Sequence, residues 1–265
     1  MKLTVLIENT RPDNSTLIAE HGLSFLVETA QSKFIFDCGH TGAAWQNAQT
    51  LGVDLSGIKI AVLSHSHYDH SGGFPKLLEH APIEKIFTGV NFWDEKFSRV
   101  NGDDYIYRGC GFDEKFLSEH GIEQIVCRDV TEIDEDIWLI GNFKRRYFCE
   151  IIPSKFVKGA TRVPDDFSDE IALVMRTDDG LAVVTACAHS GILSIVTDIA
   201  ERFSEPVVTI IGGMHLNGVA TDKIIRTIDE FKLLGVKKIL PCHCSGEEFI
   251  NHFDEKICTG SIINL

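Results

Sequence analysis

Short apolar runs rich in β-branched residues alternate with amphipathic stretches along most of this chain of 265 residues. Such runs are typical of buried strands, and apolar residues at helical spacing are typical of helices that pack on a sheet. The pattern predicts strands over residues 3–8, 22–28, 33–36, 58–64, 83–88, 171–176, 181–185, 207–211 and 238–240. It predicts helices over residues 43–51, 74–80, 192–203 and 222–234. The alternation favours the α/β class.

Between about residues 91 and 167 the periodicity is weak, with aromatic residues, charged residues and glycines interspersed. We interpret this stretch as a variable segment that forms some sheet and some loops near the functional site. Aromatic residues of this kind lie in a core more often than against substrate; those at issue are Phe92, Trp93, Tyr105 and Tyr107. Because no low-complexity tract, linker or repeat interrupts the pattern, we predict a single domain over residues 1–265.

The totals narrow the classes of partner. Apolar residues make up 44% and charged residues 24% of the chain, as in soluble globular proteins. The net charge of −14 argues against binding to nucleic acid or to an anionic membrane surface, both of which require a basic face. Bound divalent ions would reverse the charge locally, so an anionic small-molecule substrate is compatible with this composition. The oligomeric state is left open.

Three further features of the sequence bear on the cellular compartment of the protein. The first ten residues hold one apolar run that is too short for a signal peptide, and no stretch approaches the about 20 apolar residues of a membrane span. The chain has eight cysteines, and none forms a C-x-x-C pair. Without a secretory signal, these features predict reduced thiols in a cytoplasmic protein.

Residues 65–70 read His-Ser-His-Tyr-Asp-His and come directly after the predicted strand 58–64. Imidazole and carboxylate are ligands that zinc, iron and manganese accept. His65 and His67 can converge on one ion, while Asp69 and His70 reach a second. The alternative, a solvated polar loop with fortuitous histidines, is disfavoured because this spacing is far rarer than a lone histidine.

Three further predicted strands are each followed closely by a histidine, namely His189, His215 and His243. Small residues crowd each of these strand ends, and glycine allows the backbone to turn sharply and to approach a ligand closely. The sequence therefore predicts four loops that line one pocket. The other histidines lack this placement and are interpreted as structural or surface residues; they are His21, His40, His80, His120 and His252.

The H-S-H-Y-D-H sequence followed by S-G-G resembles the signature of the metallo-β-lactamase superfamily. The resemblance covers essentially the whole chain and implies a four-layer αβ/βα sandwich with a centre of one or two metals. F-D-C-G at residues 36–39 resembles the superfamily's first motif, in which the aspartate, here Asp37, supports the metal loop. Residues 186–192, 212–216 and 241–246 resemble the branch related to the archaeal 7,8-dihydropterin-6-methyl-4-(β-D-ribofuranosyl)aminobenzene 5′-phosphate synthase.

The resemblance also implies roles for individual residues. His65, His67 and His189 would hold the first metal, and the second would be held by Asp69, His70 and His243. No aspartate stands where the superfamily usually has a carboxylate that bridges the metals; the candidates to replace it are Cys187, His215 and Glu170. His215 could instead be a terminal ligand. Cys242 and Cys244, which flank His243, are expected to point away from the site and to pack.

These expectations lead to a hydrolase. Zinc lowers the pKa of bound water to about 7, so a metal-bound hydroxide is available as a nucleophile. We expect one or two zinc ions, with iron or manganese as alternatives, and hydrolysis of an ester, phosphoester or related bond in a small molecule. Asp69 would accept a proton, and His215 or the N–H groups of Gly212 and Gly213 would stabilise the developing oxyanion.

Three alternatives remain at this point. The first is a transferase that joins a pterin to an aminobenzene-ribosyl phosphate, with the aromatic residues of the variable segment stacking on the pterin ring. The second is a metal-dependent ligand-binding or sensor protein without catalytic activity. The third, a redox di-iron centre, is disfavoured because such proteins usually carry a flavin domain, for which this chain has no space.

Overall fold

The computed structural model describes residues 1–147, 149–150 and 152–265. Its strands are β1 (Lys2–Ile7), β2 (Ser24–Glu28), β3 (Lys33–Phe36), β4 (Ile60–Val62), β5 (Lys85–Gly89), β6 (Lys96–Asn101), β7 (Asp104–Tyr107), β8 (Glu123–Cys127), β9 (Val130–Asp134), β10 (Ile137–Ile140), β11 (Phe156–Lys158), β12 (Val163–Pro164), β13 (Ala172–Thr177), β14 (Gly180–Thr185), β15 (Val207–Gly212), β16 (Lys238–Pro241) and β17 (Ile262–Asn264). Its helices are α1 (Ala43–Thr50), α2 (Tyr68–Ser71), α3 (Phe74–Leu78), α4 (Glu114–Glu119), α5 (Ile192–Phe203), α6 (Thr221–Leu233) and α7 (Glu247–Ile250).

The strands form three sheets. The first has seven strands in the order β17-β1-β2-β3-β4-β5-β8, and the second has six in the order β16-β15-β14-β13-β10-β9. A small third sheet has the order β12-β11-β6-β7. Strands β3, β4, β5 and β8 are parallel neighbours in the first sheet, and β14, β15 and β16 are parallel neighbours in the second. Parallel strands end at a common edge, and α/β folds build their sites beyond that edge.

The two large sheets pack face to face on a shared apolar core. Phe25 and Val62 from the first sheet and Leu173 and Met175 from the second are buried in this core. The outer face of the first sheet packs on α1, α3 and α4, and the outer face of the second packs on α5, α6 and α7. The order of layers is therefore helix, sheet, sheet, helix. This confirms the predicted four-layer αβ/βα sandwich.

The predicted strand 58–64 is longer than the strand that forms. Strand β4 ends at Val62, because the Ser64 N–H donates to the carboxylate of Asp37 (2.7 Å) instead of continuing the ladder. The motif that follows is also not a simple turn, since Tyr68–Ser71 form the short helix α2. The first difference arises from the contact with Asp37, and in the second the N–H groups of His70 and Ser71 donate to the carbonyl of His67.

The variable segment, residues 91–167, contributes strands to all three sheets. Phe92 and Trp93 pack in the outer core of the first sheet, whereas Tyr105 and Tyr107 lie on the small third sheet. An isolated bridge between His67 and Gly109 brings the end of that sheet against residues 65–70, which we call the metal motif. Among the described residues, no helix combines the length and the apolar character that crossing a bilayer requires.

The core between the sheets predicts the effect of truncating Leu173. This side chain is fully buried, so Leu173→Ala should lower the free energy of unfolding by about 2–5 kcal/mol through lost burial and the cavity left behind. Urea denaturation measures the change. Leu233→Ala is the control, because Leu233 is 80% exposed, and its effect should stay within about 0.5 kcal/mol. Equal effects of the two substitutions would contradict the assigned packing.

Candidate metal centre

The predicted ligands meet at the edge where the two large sheets end. His65 and His67 follow β4, and Asp69 and His70 lie on α2. His189 follows β14, His215 follows β15 and His243 follows β16. All seven side chains come together there; His215 is partly buried and the other six are buried.

The first group of donors consists of His65, His67 and His189. One nitrogen from each lies within 4.8 Å of the others. These rings are buried, yet Nε2 of His65, Nε2 of His67 and both nitrogens of His189 have no hydrogen-bond partner among the described residues. Buried polar atoms without partners are costly, and a bound cation would satisfy these three rings together.

The protonation of these rings also fits a metal site. Burial lowers the pKa of His67 to about 3 and holds the pKa values of His65 and His189 well below the ordinary value. All three imidazoles are therefore neutral at physiological pH, which is the form that binds a metal. Phe167 stacks on His189 with the ring centroids 3.8 Å apart and fixes the orientation of that ring.

The second group consists of Asp69, His70 and His243. Nε2 of His70 lies 3.1 Å from Nε2 of His243, and Oδ2 of Asp69 lies 3.8 Å from the first and 3.5 Å from the second. A single proton can form a hydrogen bond in only one of these three contacts at a time, so protons alone do not satisfy the three atoms together. Three donors converging in this way fit a second cation.

Asp37 holds both parts of the metal motif in place. Its carboxylate accepts hydrogen bonds from the Ser64 N–H (2.7 Å) and the Ser64 hydroxyl (2.7 Å), and lies 2.8 Å from Nδ1 of His70. Burial lowers the pKa of His70, but the carboxylates of Asp69 and Asp37 outweigh it and raise the pKa to about 9. His70 therefore holds a proton that a metal ion would displace, which couples metal binding to pH.

Cys187 stands between the two groups of donors. Its Sγ lies 3.3 Å from Nε2 of His70, and it also forms a possible ligand set with His65 and His70. Burial and the neighbouring Cys244 hold the pKa of the Cys187 thiol well above its ordinary value. This is the position at which a group that bridges both donor sets would lie.

Glu170, considered above as a replacement for the bridging carboxylate, supports a ligand loop instead. Its two carboxylate oxygens accept hydrogen bonds from the N–H groups of His189 and Ser190, both at 2.7 Å. It therefore fixes the loop that carries His189 and does not reach the donor groups. Of the three candidates for the missing carboxylate, this leaves Cys187 and His215.

Cys244 does not point away from the site as expected. Its Sγ forms a possible ligand set with Cys187 and His215, and it accepts the N–H of His215 at 3.3 Å. The expectation assumed an extended strand, but β16 ends at Pro241 and residues His243–Ser245 form a 3₁₀ turn. Cys242 does pack in the core between the sheets.

His21 belongs to the site although it follows no predicted strand. Its Nε2 lies 3.2 Å from Oδ2 of Asp69, and its ring stacks on His243 with centroids 4.9 Å apart. The Leu23 N–H, which donates to the carbonyl of Asp69 (3.1 Å), joins the two segments. Because this contact is distant in sequence, no local pattern could have indicated it.

Other polar residues missed in the sequence hold the ligand loops. Glu8 accepts the N–H of His243 (2.7 Å), and Oδ1 of Asn9 lies 3.0 Å from Nδ1 of the same histidine. Asp169 accepts the N–H of Ser66 (2.9 Å) and pairs with buried Lys96 (2.8 Å). Glu8 is the last residue of the predicted first strand and Asn9 follows it, which was the available signal, because the predicted metal ligands also stand at or just after strand ends.

A cavity of about 450 Å³ opens over these groups. It is lined by His67, Asp69, His189 and His243 and is bordered by residues of the variable segment. A second cavity of about 500 Å³, beside α5 and α6, shares His189 and His215 with the first. A small molecule in either cavity would therefore contact the candidate metal centre.

The chain resembles several known proteins. A family model described as the metallo-β-lactamase superfamily matches residues 17–86. The chain is 30% identical to the 7,8-dihydropterin-6-methyl-4-(β-D-ribofuranosyl)-aminobenzene-5′-phosphate synthase of Methanocaldococcus jannaschii, with 100% of this chain and 97% of that protein covered. It is 29% identical to an uncharacterised protein of the same organism, over 92% of this chain and 90% of that protein.

A solved structure agrees with these relatives. The crystal structure of Tm1679, described as a metal-dependent hydrolase of the β-lactamase superfamily, has a TM-score of 0.85 and 31% identity to this chain. It covers 100% of this chain, which in turn covers 99% of that one. The chain belongs to the metallo-β-lactamase superfamily, which confirms the resemblance that the H-S-H-Y-D-H motif indicated.

Asp37→Asn tests the support of the metal motif. An amide cannot accept from Ser64 and His70 as the carboxylate does, so we expect affinity for zinc to fall about 10–100-fold. Competition with a chromogenic chelator measures the affinity. Asp13→Asn, at an exposed position, should leave it unchanged, and thermal melting shows whether each variant is folded. Unchanged affinity in folded Asp37→Asn protein would show that this support is dispensable.

Cobalt substitution tests the position of Cys187. If the sulfur is a ligand, the cobalt-loaded protein has a sulfur-to-cobalt charge-transfer band in the near ultraviolet, and Cys187→Ala removes it. Cys38→Ala is the control, because Cys38 is buried in the outer core of the first sheet. A spectrum that is identical in wild type and Cys187→Ala would exclude Cys187 and leave His215 as the replacement for the carboxylate.

Proposed function

We propose that the protein is a metal-dependent hydrolase that cleaves an ester, phosphoester or related bond of a small molecule. The observation that carries this proposal is the set of three buried imidazoles, His65, His67 and His189, which have unpartnered nitrogens beside an open cavity. A purely structural cluster would pair these nitrogens with protein groups.

We further propose zinc as the metal, with iron or manganese as alternatives, and either one or two ions. Such an ion would lower the pKa of bound water and polarise the carbonyl or phosphoryl group under attack. His65, His67 and His189 would hold the first ion, and Asp69, His70 and His243 the second. Cys187 lies where a ligand shared between the two sets would lie.

Asp69 and His21 provide a route for protons. Burial raises the pKa of Asp69, but His70, His21 and His243 outweigh it and keep this carboxyl ionised. The hydrogen bond with Asp69 raises the pKa of His21, which is exposed to solvent. A proton accepted at Oδ2 of Asp69 can therefore pass to Nε2 of a neutral His21, and the imidazolium that forms would release the proton of its other ring nitrogen to water.

His215 is the group that can stabilise developing negative charge. The Gly213 N–H donates to the carbonyl of Thr185 (3.1 Å), so it is not free for this task. Gly212 lies even closer to that strand, since an added Cβ would come 1.9 Å from the same carbonyl oxygen. Of the groups considered, the His215 side chain faces the cavity and its buried Nδ1 has no partner among the described residues.

A dihydropterin-linked transferase is the second candidate, and the similarity to the M. jannaschii synthase favours it. The aromatic residues considered for stacking do not support it, because Phe92 and Trp93 are core residues and neither Tyr105 nor Tyr107 lines the cavity over the donor groups. Diphosphate release from a dihydropterin diphosphate in the presence of the aminobenzene substrate distinguishes the transferase from a hydrolase.

A ligand-binding or sensor protein without catalytic activity is the remaining alternative. Native mass spectrometry of the purified protein tests it, because a sensor of this kind would retain a stoichiometric small molecule and show no turnover.

Loss of a first-group ligand should abolish hydrolysis. Zinc-loaded wild type should hydrolyse bis(4-nitrophenyl) phosphate or 4-nitrophenyl acetate, and His67→Ala should reduce kcat/KM at least about 100-fold, because a metal site missing one ligand loses both affinity and geometry. Removal of metal with a chelator should have the same effect, and added zinc should restore the wild type. The control His252→Ala changes an exposed histidine and should leave the rate unaltered. Equal rates for His67→Ala and wild type would exclude the proposal.

A further inference from the structure

Two basic side chains border the cavity over the donor groups. Arg108 and Lys155 line it together with His67, Asp69 and His189. Both come from the variable segment and neither belongs to the metal motif. Asp69 is the one acidic residue among the lining residues that the structure describes, and it is occupied by its histidine partners.

Arg108 is fixed in position by the parts of the site around it. Its Nε donates to the hydroxyl of Ser98 (2.8 Å), and its guanidinium carbon lies 5.6 Å from the ring centroid of Tyr68. Its carbonyl accepts the N–H of Tyr68 (2.8 Å), which ties its backbone directly to the metal motif. Its Nη1 also donates to the hydroxyl of Tyr68 at 3.5 Å. The guanidinium N–H groups outside these contacts are the ones available for a ligand, and a planar fork of this kind matches carboxylate and phosphate.

Lys155 reaches the same cavity from the turn directly before β11, a strand of the small sheet. Its Nζ lies 5.1 Å from the ring centroid of Phe156, and that ring in turn lies 5.5 Å from His189 and 5.6 Å from His67. The Phe156 ring therefore lies between the ammonium group of Lys155 and the imidazoles of His67 and His189, and it contacts all three. The lysine is exposed and lines the cavity, so its charge is accessible to a ligand that enters from solvent.

The surplus of positive charge at this place is unusual for the chain. The protein has 39 acidic and 25 basic residues, yet two basic side chains and one carboxylate face this cavity. Bound divalent cations would add further positive charge. Charges arranged in this way favour an anionic ligand, both by direct contact and by attracting it from solution.

We propose that Arg108 and Lys155 form an anion subsite beside the metal centre, and that the substrate carries an anionic group, a carboxylate or a phosphate, in addition to the bond that is cleaved. This inference rests on the proposed function, because the donor groups must hold the reacting end of the substrate. It narrows the substrate class from small esters in general to esters or phosphoesters with a remote negative charge.

Binding of phosphonates tests the subsite without turnover. Calorimetry of the zinc-loaded protein compares propylphosphonate, whose tail is neutral, with 2-carboxyethylphosphonate and ethane-1,2-diphosphonate, whose tails are anionic. We expect at least one anionic tail to bind about tenfold more tightly than the neutral one, as for one charge-assisted hydrogen bond. The tail with the larger gain identifies the anion.

The variants separate the subsite from the metal centre. In the double variant Arg108→Gln, Lys155→Gln, the anionic and neutral tails should bind with about equal affinity, while the affinity for propylphosphonate stays the same. In the single variant Arg108→Lys, part of the preference for the anionic tail should remain. The matched control is Arg99→Gln with Lys115→Gln, since both residues are exposed and neither lines the cavity; it should keep the full preference. Thermal melting confirms that each variant is folded.

The outcomes are distinct. No preference in wild type, or a preference that survives in the Arg108→Gln, Lys155→Gln variant, overturns the subsite even if the protein hydrolyses esters. Failure of zinc-loaded wild type to bind any of the phosphonates overturns the proposed function, and the subsite with it.

Discussion

Buried imidazole nitrogens without partners are costly, and this chain concentrates them where its two large sheets end. Each such atom costs about 1–3 kcal/mol when nothing satisfies it. His65, His67 and His189 share this cost at one point and are neutral there, so a cation is the simplest partner for all three. The supporting carboxylates and the cavity lie around the same point.

A common device holds the ligand loops. Three of the four ligand loops have a buried carboxylate that accepts a backbone N–H group at or next to a donor residue, and this restricts where the histidines can point. The loop of His215 is held instead by Cys244 and Ser245, which accept the N–H groups of His215 and Met214. The four carboxylates are Glu8, Asp37, Asp169 and Glu170. Charge-assisted hydrogen bonds of this kind are stronger than neutral ones, and buried negative charge also offsets the charge of bound cations. Support therefore comes from both sheets, and the site depends on their packing.

The sequence predicted those parts of the protein that local pattern controls. The apolar runs located nine of the seventeen strands that the structure describes, β1 to β5 and β13 to β16. Helix 192–203 matches its prediction at both ends because its amphipathic face packs on one sheet. The spacing of residues 65–70 indicated the donor groups, since side chains so close in sequence must also be close in space.

What the sequence could not predict depends on contacts between distant segments. His21 reaches Asp69 only because β2 packs beside the metal motif, and Cys244 faces Cys187 because a 3₁₀ turn follows β16. Lys96 and Arg108 lie in the segment of weak periodicity, where charge and aromatic residues gave no indication of which would reach the site. In each case the partner is set by tertiary structure, which local propensity does not encode.

Anomalous X-ray diffraction at the zinc absorption edge, from crystals of the zinc-loaded protein, tests the central claim most directly. The account predicts a strong anomalous peak enclosed by the side chains of His65, His67 and His189. Crystals that show zinc elsewhere on the molecule and no peak among these three imidazoles would contradict it.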